Sequence, residues 1–194
     1  MSNVRLLNIL MRPPKLIKPY VLRFCRSVVP DAAPVFVSCR PLPGAPVNDC
    51  FPIVDRQVAS AGGECVIGWA VWEWPKVFIE AEFHAVWKQP DGSFLDIAPK
   101  ALPIPRILFV PDPQRVYRGR QVANVRLPLC NDKAVKRLCE LSTLIFKELN
   151  AGTLADVHGE VVASDQCVRY LVEKERVLHT LQGRYGPNHP ERFA

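Results

Sequence analysis

Apolar and polar positions alternate along residues 64–98, and this stretch decides how the rest of the chain is read. "CVIGWAVWEWP", from Cys65, is β-branched and aromatic and predicts a strand. "KVFIEAEFHAVWKQ" predicts a second strand, with Glu80, Glu82, His84 and Val86 on one face and Ala81, Phe83, Ala85 and Trp87 on the other. "PDGS" is a turn, and "FLDIAP" a third strand, which completes an antiparallel meander. "RILFVPD" and Val35–Cys39 read as further strands.

The period changes on either side. Before the meander, Cys50, Val54, Val58 and Ala61 fall on one face of a helix of about three turns. Asn48 or Asp49 can cap it, Pro52 is tolerated in its first turn, and Gly62-Gly63 ends it. After the meander, "QRVYRGRQVANVRLPL" is an arginine-dense connection without a clear period. Two amphipathic helices follow, capped at Asn131 or Asp132 and at Ser164 or Asp165, and stopped by Gly152 and Gly183. Residues 1–30 are broken by Pro13, Pro14, Pro19 and Pro30, and "YVLRFC" there reads as a helix turn or an edge strand. The expected fold is α+β: a central helix on an antiparallel sheet of about four strands, covered by two C-terminal helices. The expected organisation is a basic arm over residues 1–40 and one domain over 41–194, with its core at 48–128 and its helical cover at 129–183.

Charge sharpens that division. Residues 1–40 carry seven basic side chains and one acidic one, so the formal net charge of +6 lies there, and the remainder carries 18 of each sign. The arm suits contact with an acidic partner or a transit-like role. A neutral body without basic residues interleaved among exposed aromatics does not suit nucleic acid as the main partner. No window holds the roughly 20 apolar residues that cross a bilayer. Seven cysteines at irregular spacing, with no CxxC, argue against a disulfide framework or a zinc knuckle, so a reduced, cytoplasmic protein is expected.

The candidate chemistry joins the helix to the meander. A cysteine attacks as its thiolate, which a helix N-terminus and a neighbouring imidazolium both favour. Cys50 opens the helix, His84 is the histidine in a strand, and Asp96 in the next strand can orient that histidine. The hairpin brings Asp96 to within about two positions of the stretch opposite His84, although a slip of one residue would turn it to the other face. Cys65 is a rival nucleophile without a helix dipole. Asn48, Gln57 or a Trp indole could assist the Cys50 backbone N–H as oxyanion donors. Trp72 and Trp74 share a strand face and could wall a substrate groove, and Glu82 lies on the His84 face. Tyr117, Arg118, Arg120, Gln121, Asn124 and Arg126 form a polar patch that either binds an anion or ties the sheet to the C-terminal helices.

The order Cys at a helix start, His in a strand, then Asp in the next strand, with "HAVWKQPDGSFLDIAP", resembles the transglutaminase-like and NlpC-type branch of the papain-like cysteine enzymes. The resemblance covers about residues 48–100. It implies Cys50 as nucleophile, His84 as base and Asp96 as orienting acid, acting on a peptide, protein or small amide without a cofactor. Two departures stand out: Phe51-Pro52 follows the nucleophile, and "PLPGAPVND" offers no oxyanion glutamine. The wider pattern "GWAVWEWP…IEAEFHAVW…LDI.PK…FVPDP" also resembles a group of bacterial and phage proteins, some with SEC-C-type zinc tails, and that likeness brings no activity. Two alternatives remain: a non-catalytic interaction module, and a metal hydrolase using Cys50, Glu82, His84 and Asp96.

Overall fold

A computed structural model describes residues 11–31, 33–47, 49–157 and 161–186. The chain is a mixed α+β protein. Its described elements, in order, are α1 (Pro19–Val28), β1 (Val35–Cys39), α2 (Cys50–Ala61), β2 (Glu64–Trp74), β3 (Phe78–Lys88), β4 (Phe94–Asp96), β5 (Arg106–Pro111), β6 (Val125–Pro128), α3 (Lys133–Leu149) and α4 (Asp165–Tyr185). A short 3-10 turn at Gly152–Asp156 lies between α3 and α4.

The sheet closes on itself. β2 pairs with β3, β3 with β4, β4 with β1, β1 with β5, and β5 with β2. β1 and β4 run parallel, and the other pairs are antiparallel. The result is a five-stranded barrel with β6 added beyond β3. A sheet of about four strands was expected; five close the ring, and "VRLP" in the arginine-dense connection adds the sixth. Closure removes the open edges that a twisted sheet of this size would otherwise expose.

Strand parity then separates inside from outside. Val37, Ala70, Val86, Ile107 and Phe109 form one buried cluster facing the barrel axis. Trp69, Val71, Ala81, Phe83, Ala85, Leu108 and Val110 face outward and pack against α1 and α2. Gly68 is required where β2 passes β5: a Cβ there would lie 2.2 Å from the Val110 carbonyl oxygen and 2.7 Å from the Phe109 ring. Phe109 fills the interior over that bare backbone.

Within the stretch expected as a basic arm over residues 1–40, Pro19–Val28 and Val35–Cys39 pack into the fold. α1 buries Val21, Phe24 and Cys25 in the outer core, and β1 is a barrel stave. "YVLRFC" was ambiguous because ten residues are too few for periodicity alone to separate helix from strand, and Pro19 at the first helical position settles it.

The C-terminal helices are capped as the sequence predicts. Asp132 accepts from the Ala134 N–H at 2.7 Å, and Ser164 from the Cys167 N–H at 3.0 Å. They cover the β2–β3 turn, where Trp74, Val77 and Phe78 meet Val135, Leu138, Leu178 and Leu181. α4 continues through Gly183 to Tyr185. No described helix is long and apolar enough to cross a membrane.

Candidate active site

The site begins with register. Trp87 pairs with Leu95 and Lys88 with Phe94 across the β3–β4 hairpin. Asp96 therefore falls on the face of His84 and Val86, a diagonal neighbour within side-chain reach. A five-residue connection fixes this alignment: the Gln89 N–H donates to the Ser93 carbonyl, and Asp91 accepts from the Ser93 N–H and hydroxyl. Both His84 and Asp96 point inward at the barrel, where they are 4% and 0% exposed.

His84 Nε2 lies 3.1 Å from Asp96 Oδ1. Cys50, in the first turn of α2, lines the same cleft as His84 and favours the charged form of its ring. Burial and the nearby Lys100 ammonium both oppose charge on His84. The Asp96 carboxylate, the hydrogen bond to it and the nearby Cys50 side chain outweigh them, and the His84 pKa rises to about 9. Burial works against the Asp96 charge as well, but His84 and then Lys100 hold its pKa down to about 2. At neutral pH the pair is an imidazolium and a carboxylate.

Lys100 is the residue that sequence reasoning missed. Its Nζ is 2.8 Å from Asp96 Oδ2 and donates to the Ala98 carbonyl at 3.2 Å. It also stands 3.3 Å from His84 Nε2. With the ring charged, both atoms are donors, so this is a like-charge approach rather than a hydrogen bond. A lysine four residues after an aspartate is informative on a helix, but "DIAPK" is a strand end and a turn. The Ala98 N–H and the Cys39 thiol complete the shell of Asp96, at 3.2 and 3.7 Å.

A cleft of about 420 Å³ opens over this group. Cys50, Asp49 and Phe51 contribute from α2, Glu82 and His84 from β3, and Lys100 from the loop after β4. The far wall is the connection between β5 and β6, with Tyr117, Gln121 and Asn124. Tyr117 stacks on Phe51 with ring centroids 3.9 Å apart and planes within 6°. Arg120, also in the wall, is held by Asp156 at 2.6 and 2.9 Å. Arg126 is ion-paired with Glu80 on β3. The polar patch thus both lines the cleft and ties the barrel to the segment between the last two helices.

The remaining candidate residues are distributed as follows. Glu82 lines the cleft and accepts from the Trp72 indole at 2.7 Å. Trp72 is half-buried against the barrel-interior cluster, and its part in the site is to orient Glu82. Trp74 is fully buried among the C-terminal helices and does not line the cleft. The two share a strand face as expected, but the helices cover that face at Trp74. Gln57 lies seven residues along α2 from Cys50, about 10 Å at the helical rise, and is not part of the cleft wall. Asn48 lies outside the described residues. Asp49 occupies the cap position of α2 without a side-chain cap bond, so among the described residues the Cys50 and Phe51 N–H groups have no side-chain partner there.

Burial pushes Cys25 and Cys139 up to about 11, and Cys39 and Cys65 up to about 12. Cys65, the rival, is further held protonated by Asp55. Among the described residues no group of three or more His, Cys, Asp or Glu side chains is arranged to hold a metal ion. No family model, curated protein or solved structure matches the chain.

Proposed function

We propose that this protein is a cysteine-dependent acyl-transfer enzyme acting on a peptide or small amide, in the manner of the papain-like, transglutaminase-related enzymes. The observation that carries this reading is the His84–Asp96 hydrogen bond beside Cys50 in one open cleft, with the thiol at the start of a helix. The Cys50 thiolate attacks the substrate carbonyl carbon and the carbon–oxygen π electrons move to oxygen. The N–H groups at the start of α2, uncapped by Asp49, face this developing oxyanion, with Gln121 or Asn124 as side-chain donors from the opposite wall. The tetrahedral adduct collapses, the C–N bond breaks, and the His84 imidazolium gives its proton to the departing amine. Water or a second amine then attacks the thioester, loses its proton to His84 and releases Cys50.

The test is the rate of alkylation of each cysteine by iodoacetamide at pH 6, read by peptide mass spectrometry in wild type and His84→Ala. Cys50 should react far faster than the other thiols in wild type and lose that advantage in the variant. Seven ordinary thiols would leave the interaction module as the better reading.

A further inference from the structure

A second concavity of about 540 Å³ opens at the β2–β3 turn, away from Cys50. It lies beyond the Glu73–Ile79 pair, and His84 is five residues, about 17 Å, further along β3. Arg12, Lys15, Lys18 and Lys76 surround it. Among the described residues none of these four cations has a carboxylate within salt-bridge distance. The acid in the lining is Glu73, which is 5% exposed and accepts the Tyr20 hydroxyl. Four like charges around one concavity repel one another and focus a positive potential into it.

The backbone builds this arrangement. Arg12 is fixed by a two-way bridge to Glu73, N–H to carbonyl at 3.0 and 2.8 Å. Lys18 occupies the cap position of α1 and makes no side-chain cap bond, so first-turn N–H groups of that helix add to the positive side. Lys76 is the most telling residue. Pro75 and Lys76 are the central pair of a tight turn closed by the Val77 N–H on the Trp74 carbonyl at 2.9 Å. Lys76 has φ of 68°, a conformation that glycine or asparagine adopts at less cost. A lysine there strains the turn and places an ammonium at the rim.

We propose that this groove binds a small, multiply charged phosphate-type anion of the pyrophosphate class. Its volume falls in the range of small-molecule sites. The cations ring a pocket rather than follow a track, and Tyr20 is engaged by Glu73 rather than free to stack on a base, which sets the site apart from a nucleic-acid surface.

The probe is inorganic pyrophosphate on the full chain. At 10 mM, against sodium chloride of equal ionic strength, it should raise the melting temperature by about 3–5 °C, with one site of Kd below about 1 mM by calorimetry. Lys76→Asn and Lys18→Gln should each weaken binding about five-fold or more. Lys76→Asn should leave the ligand-free melting temperature unchanged or higher, because asparagine suits the turn. Absence of saturable binding overturns the proposal, as does binding that both variants leave intact. So does a single-stranded oligonucleotide that binds more tightly with length while pyrophosphate does not bind.

Discussion

The cleft over Cys50 and the groove at the β2–β3 turn both gather charged side chains, and they treat them in opposite ways. In the cleft each cation is matched: His84 and Lys100 to Asp96, and Arg120 to Asp156. In the groove four cations stand without a carboxylate partner among the described residues, and the acid in the lining is taken by a tyrosine. Burial accounts for the difference. Asp96 has no contact with water, so its charge must be compensated by protein groups. Arg12, Lys15, Lys18 and Lys76 are exposed, and water and counterions compensate them until a ligand does. A prewired buried network suits chemistry, in which groups must be oriented before the substrate arrives. An unmatched exposed set suits capture of a charged ligand.

Substitutions should expose this contrast most sharply at Asp96. Asp96→Ala leaves His84 and Lys100 facing each other without a counter-charge and should cost about 3–5 kcal/mol in urea denaturation, the range for breaking a buried pair. Arg12→Gln, by comparison, should stay within about 0.5 kcal/mol of wild type. Equal losses would remove the distinction between the two regions. Next in size, His84→Ala should slow Cys50 alkylation at pH 6 by about 10²-fold, since an ordinary thiol is almost wholly protonated there.

The pH dependence of stability is set by the same pair. The Asp96 pKa is lowered to about 2, so its contribution is present above the ordinary carboxylate range and is lost as pH falls toward 2. The His84 pKa is raised to about 9, so its contribution is complete below the ordinary histidine pKa and is lost as pH rises through 9. The unfolding free energy from urea denaturation should therefore be highest between about pH 4 and 6.5 and fall on both sides, by about 2–3 kcal/mol on each side for this pair. Asp96→Asn should flatten the alkaline fall.

A finer separation comes from Lys100→Met. Removing the ammonium relieves its opposition to the His84 charge, so the alkaline limb of the Cys50 alkylation profile should move to higher pH. A purely structural lysine would change the amplitude of that profile and leave its position in place. The smallest effect concerns salt: raising sodium chloride from about 0.05 to 0.5 M should weaken pyrophosphate binding at the groove and leave the Cys50 alkylation advantage nearly unchanged, since exposed charges are screened far more than buried ones.

Much of the meander was readable because its chemistry is local. Alternation over Glu64–Lys88, the Asp91-Gly92 turn and the caps at Asp132 and Ser164 each follow from neighbours in sequence. The order Cys50, His84, Asp96 was readable for the same reason: a helix start and one hairpin hold all three. Lys100 was not, and although Tyr117, Gln121 and Asn124 were readable as a polar patch, their place opposite Cys50 was not, because they sit in a connection with no period. Trp72 and Trp74 were read correctly as sharing a strand face, but which part of that face remains open depends on helices some 60 to 100 residues later.

By itself, then, the sequence determined where strands and helices run, which faces they bury and which residue types could form a thiol–imidazole–carboxylate series. These are consequences of side-chain periodicity and backbone propensity over a few residues. Tertiary structure decided the closure of the barrel, the register that turns Asp96 toward His84, and the inclusion of α1 and β1 in the core. It also decided which cations find carboxylates. Those outcomes depend on contacts between distant segments, whose alignment follows from burying every inward face at once and compensating each charge that burial removes from water.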